Sequence, residues 1–104
     1  MPWILLIVAG LLEIVWATAM KFSMGFTRPV PTAVMLVGML ASFGLLAVAM
    51  RQLPLGTAYT VWTGIGAVGS FVVGVVLLAE PVTAMRLLAA TMIVAGIVTM
   101  KLAS

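Results

Sequence analysis

Apolar residues fill four long stretches of the chain, roughly 3–20, 31–50, 57–79 and 84–102, and polar residues gather in the short intervals between them. None of the stretches alternates with the period of two that a half-buried strand shows. About 18 to 20 residues, at about 1.5 Å each, cross a hydrocarbon core of about 30 Å. Each stretch is that long. In lipid the backbone must satisfy its own hydrogen bonds, so the pattern predicts four transmembrane helices and an all-α membrane protein. The intervals agree. Lys21 to Pro31 holds Lys21, Ser23, Gly25, Arg28, Pro29 and Pro31, and Pro31 suits a first helical turn. Arg51 to Gly56 is the second interval, with Thr57 the expected N-cap of helix 3. Glu80-Pro-Val-Thr83 is the third, with Glu80 placed to begin helix 4 as an N-terminal acid. Such short loops make successive helices antiparallel. Residues 1–104 then form a single transmembrane domain whose function lies inside the bundle.

Composition sharpens this picture. The chain is 65% hydrophobic, with a mean hydropathy of +1.39 and 7% charged residues. A soluble domain carries roughly 25% charged residues, so this one could not cover a globule with polar surface. With no Cys and no His, disulfide and thiolate chemistry are excluded. No nucleophile–base pair, metal cluster or usable phosphate loop stands out, so neither an enzyme nor a cofactor is expected. The net charge of +3 comes from scattered residues, not a run, and gives nucleic-acid binding no support. Ala17-Thr18-Ala19 mimics a signal-peptidase site. The expected outcome is no cleavage, because a basic n-region is missing and Glu13 interrupts the h-region.

Basic residues also bear on orientation. With both termini on one side, that side holds Arg51 and Lys101; the other holds Lys21, Arg28 and Arg86. Two against three is almost no bias under the positive-inside rule. Either the chain has a weak single orientation, or it inserts both ways and pairs as an antiparallel, dual-topology dimer.

Glu13 carries the chemistry. It lies near the middle of helix 1, where a charge costs a few kcal/mol even on lenient insertion scales and where snorkelling helps least. No Lys or Arg lies at similar depth. The carboxyl therefore carries a proton, or meets a cation the chain does not supply. Alternation between those states would make a proton-coupled cation site; the alternative is a structural acid. Ala9, Gly10, Trp16 and Ala17 share its helix face: the small residues leave room, and Trp16 offers a ring face to a cation. Trp3 and Phe26 fit as interface anchors.

Other positions are weaker alone. Tyr59 and Trp62, at i and i+3 early in helix 3, suit either a binding site or an interfacial aromatic belt. Ser42 lies mid-depth in helix 2. A lone Ser there usually bonds its own backbone at i−4, but Glu13 needs a hydrogen-bond partner. Gly64, Gly66 and Gly69 match a GxGxxG spacing. Inside a membrane helix, with no preceding strand, it is not a dinucleotide motif but a packing surface or a hinge. Ala89 and Gly96, seven apart on a helix with no charge in mid-membrane, suggest an association surface or packing within the chain.

These features together resemble the small multidrug resistance family, and the resemblance spans the whole chain. GLLEIVWATAMKFSMGFTRPVP and LPLGTAYTVWTGIGAVGSFVVG look most like its guanidinium-exporter subtype, with WTGIGA and GFTR favouring that subtype over the polyaromatic drug exporters. The resemblance implies a multi-pass protein of the bacterial plasma (inner) membrane that exports guanidinium in exchange for protons. Small substituted guanidinium or quaternary ammonium cations are further substrates of this kind. It implies an antiparallel homodimer; pairing with a different chain, as close relatives do, is the other assembly it allows. Glu13 would be the shared proton and cation site with Ser42 beside it, Trp16, Tyr59 and Trp62 would shape the site, and helix 4 would make the dimer contact. Ala89 departs from the pattern, standing where the drug exporters have Gly. Two rivals differ in class: a broad exporter of quaternary ammonium drugs, and a non-transporting membrane subunit or small pore.

Overall fold

The structure is a computed structural model that describes residues 2–103. Four helices run in order: α1 Pro2–Phe22, α2 Pro29–Ala49, α3 Leu55–Leu77 and α4 Ala84–Leu102. All four are long and apolar enough to cross a membrane. Their ends depart from the expected ones by up to two residues, for local reasons. α2 starts at Pro29, whose missing N–H would have had no helical partner anyway. α3 starts two residues before Thr57, with Pro54 as its N-cap, and the Ala58 N–H donates to the Pro54 carbonyl at 3.0 Å. Thr57 is therefore not the cap. Glu80 is not the first acid of α4 either. Thr83 caps that helix by accepting from the Arg86 N–H at 3.1 Å, while the Glu80 N–H bonds back to Gly74 O at 3.0 Å and closes the end of α3.

Loop 1 stops α1 with three consecutive residues in the left-handed region: Met24, Gly25 and Phe26, with φ of 50°, 74° and 69°. Side chains resist that region. Buried Ser23 holds it in place, donating to Met20 O at 2.7 Å and accepting from the Phe26 N–H at 3.1 Å.

α1 lies between α2 and α3, and α2 meets α3 only briefly. The α4 backbone runs beside α3 alone among the described residues. Leu6, Ala9, Leu46, Ala49, Ala58, Val61 and Trp62 form the core. They come from the first half of α1, the end of α2 and the start of α3. The Cα trace spans 40 × 34 × 16 Å. Its thinnest dimension exceeds the Cα cylinder of a single helix, about 4.6 Å across, so the helices are not confined to one flat layer.

Candidate functional site

Glu13 sits near the centre of α1 with its carboxyl pressed against Gly66 of α3; a Cβ there would collide with Oε1, Cδ and Cγ of Glu13. Only glycine leaves that volume free. Oε1 is buried and has no hydrogen-bond partner. One helical turn on, the Trp16 Nε1–H is buried and equally unpartnered. An unmade hydrogen bond on a buried group costs about 1–3 kcal/mol, so an acceptor and a donor are both held ready within one turn.

Ser42 is fully buried, but it bonds neither Glu13 nor its own helix. Its hydroxyl donates to the Ala9 carbonyl of α1 at 2.6 Å and accepts from Trp62 Nε1–H at 3.0 Å. The expected Ser42–Glu13 hydrogen bond is absent: the one proton of the hydroxyl goes to the Ala9 carbonyl, so it has none to donate to the Glu13 carboxylate. Ala9 lies one turn before Glu13, so the chain Trp62–Ser42–Ala9 ties α3 and α2 to the α1 turn that carries the carboxyl. Gly10 does not leave room for a cation as expected: Ile65 of α3 fills the space beside it.

The aromatic rings form one array. Tyr59 and Trp62 have centroids 5.6 Å apart, Phe43 stands edge-on to Trp62 at 5.7 Å, and Phe43 stands edge-on to Trp16 at 6.2 Å. Trp62 is buried, whereas Tyr59 is 53% exposed. Phe43 joins the two tryptophans and was missed in the sequence. Its adjacency to Ser42 was no clue, since neighbours on a helix diverge by about 100°. Trp16 itself packs over Gly38 of α2.

The α3 glycines face different neighbours: Gly64 meets Ile93 and Ile97 of α4, Gly66 meets Glu13, and Gly69 meets Ile14. α3 is a continuous helix through all three. Ala89 and Gly96 are exposed and border cavities of about 150 and 400 Å³ between α3 and α4, the larger shared with Tyr59 and Thr63.

Comparison with known proteins fits this arrangement. The profile of the family described as Small Multidrug Resistance protein matches residues 1–102. The chain belongs to that family. It is 55% identical to the guanidinium exporter of Yersinia pseudotuberculosis serotype I (strain IP32953) over 104 residues, covering 100% of each chain. It is 51% identical to the guanidinium exporters of Escherichia coli (strain K12) and Citrobacter freundii, covering 100% of this chain and 99% of each relative. These relatives are transporters by name, not enzymes. Four apolar spans and this family membership make the chain a multi-pass protein of the bacterial inner membrane.

Proposed function

We propose that the chain is a proton-coupled antiporter that exports guanidinium, and small substituted guanidinium or quaternary ammonium cations, by alternating access. The observation that carries this reading is the buried Glu13 Oε1 with no partner at mid-membrane. A carboxylate there takes a proton or a cation, and the two compete for the same oxygens. Guanidinium is planar and presents its N–H donors in a fork, so it bonds a carboxylate bidentately. Trp16, Tyr59 and Trp62 bound the region with rings whose faces attract a flat cation. Ser42 acts through Trp62, fixing the indole by its hydrogen bond. If neither the empty ionised state nor the doubly loaded state changes sides readily, inward proton flow drives the cation out.

The working unit is two chains of opposite orientation, an inverted repeat of the kind alternating access uses. Helix α4 supports this: none of its span is buried within the chain, which leaves an apolar face for a second copy. Exposed Ala89 and Gly96 on α4 supply the dimer contact.

The test is guanidinium uptake by purified protein in liposomes under an imposed pH gradient, with Glu13→Gln alongside. Saturable, gradient-driven uptake that disappears in the variant is expected. Equal uptake by both would make Glu13 structural, and conduction without saturation would mean a pore. Competition by tetraethylammonium in preference to guanylurea would favour the broader drug exporter.

A further inference from the structure

The chain has one acidic side chain besides Glu13, and it faces a guanidinium. Glu80 Oε1 lies 3.8 Å from Arg86 Nη2. Arg86 Nη1 donates to the Pro81 carbonyl at 2.6 Å, and its Cζ stands 5.2 Å from the centre of the Phe71 ring. A carboxylate, a carbonyl and an aromatic face are the partners a guanidinium ion recognises. The receiving side is built without Arg86. The Glu80 N–H is bonded to Gly74 O at 3.0 Å, and its carboxyl packs over Gly74, where a Cβ would collide with it. Phe71 belongs to α3. Arg86 alone comes from α4.

A cavity of about 330 Å³ opens beside this cradle, lined among others by Lys21, Thr18, Ala17, Ser70 and Ala67. It runs up α1 from Lys21 to Ala17, one turn from Glu13. Along α3 it runs from Gly74 to Ala67, next to the Gly66 that the Glu13 carboxyl touches. The cavity thus leads from the cradle toward Glu13 and ends about one helical turn short of it.

We propose that Glu80, the Pro81 carbonyl and Phe71 form a second guanidinium-binding site at the outer end of the cavity that leads toward Glu13, with Arg86 occupying it as a tethered equivalent of the free cation. The role of the cavity rests on the function proposed above; the binding chemistry does not. Lys21 lines the same cavity, so Lys21, Glu80 and Arg86 together carry one net positive charge. A free guanidinium therefore enters only as Arg86 leaves, an exchange that keeps the charge of the cradle unchanged. Occupancy is weak and reversible, as a transfer site requires.

The test uses a Glu13→Gln background, which removes the central carboxylate. In Glu13→Gln/Arg86→Ala, millimolar guanidinium chloride is expected to raise Tm saturably, on the order of 4 °C at about ten times Kd. Equal concentrations of sodium or tetramethylammonium chloride are expected to leave Tm unchanged. Adding Glu80→Gln is expected to abolish the rise, and Glu13→Gln with Arg86 intact is expected to show none. Arg86→Met, which keeps an apolar stem over Phe71, serves as the parallel variant where the alanine does not fold. No guanidinium-specific rise, or one that survives Glu80→Gln, overturns the site and leaves Arg86 a structural staple. Liposome uptake by the unmodified chain separates the two readings. A Tm rise without wild-type uptake keeps the second site and removes the transport function, whereas uptake without the rise does the reverse.

Discussion

Helices α1 and α4 are close in length, 21 and 19 residues, and either is apolar enough to cross a membrane. Inside the chain they differ sharply: 22% of the α1 span is buried and none of α4. α1 lies between two helices and presents a carboxyl oxygen and an indole N–H that nothing satisfies. α4 leaves no such group. Its Thr91 and Thr99 hydroxyls donate to Leu87 O and Ala95 O, each at 2.8 Å. Cations over rings tie both its ends, Arg86 over Phe71 and Lys101 Nζ at 4.3 Å from the Trp3 centre. Met85, Leu88, Met92 and Leu102 stand exposed along it. Hydropathy alone treats the two helices as equals. Their neighbours separate a helix with unsatisfied buried polar atoms from one whose face the chain leaves uncovered.

Substitutions can break that division of labour, beginning with the largest expected effect. Glu13→Gln keeps the shape of the side chain but cannot exchange a proton, so liposome uptake should fall to the background of empty vesicles. Retained uptake would move the chemistry off α1. Gly66→Val comes next. It places methyl groups where the carboxyl lies, and overpacking of about 1–3 kcal/mol corresponds to roughly tenfold weaker guanidinium binding or more. Isothermal titration reads this directly, with circular dichroism to confirm that the helices persist.

On the other side of the comparison, Gly96→Leu adds a side chain where no atom lies within 4 Å of the Cβ position. Helicity should hold while self-association weakens by roughly fivefold, an effect of about 1 kcal/mol. Cross-linking in lipid across a dilution series measures it, and an unaltered dimer would clear α4's small residues of the contact. Ser42→Ala has the smallest expected effect. It breaks the link between Trp62 and Ala9, and hydrogen bonds between membrane helices average about 0.6 kcal/mol. A loss of about threefold in guanidinium affinity should follow. A loss as large as that of Gly66→Val would mean that Ser42 touches the cation directly.

Several features were legible in the chain before any fold. The four spans emerged within two residues at each end, and Glu13 stood out because no cation shares its depth. Expectations failed where a group had more than one partner to choose from. Thr57 lost the cap to Pro54, Glu80 closed α3 instead of opening α4, and Ser42 gave its hydroxyl to Ala9 and Trp62 instead of Glu13. Phe43 became the link between two tryptophans with no local sign of it.

The reason lies in the solvent. A backbone in hydrocarbon must close its hydrogen bonds within each helix, so length and apolarity along the chain determine where the helices run, and the cost of a mid-membrane charge marks Glu13. Contacts across helices depend on how each cylinder is rotated about its axis. A helix that is apolar on all sides carries little periodic signal of its buried face. Which side chains meet over separations of 20 and 33 residues, as Trp62, Ser42 and Ala9 do, was therefore decided only when close packing at Gly10, Gly38 and Gly66 set those rotations.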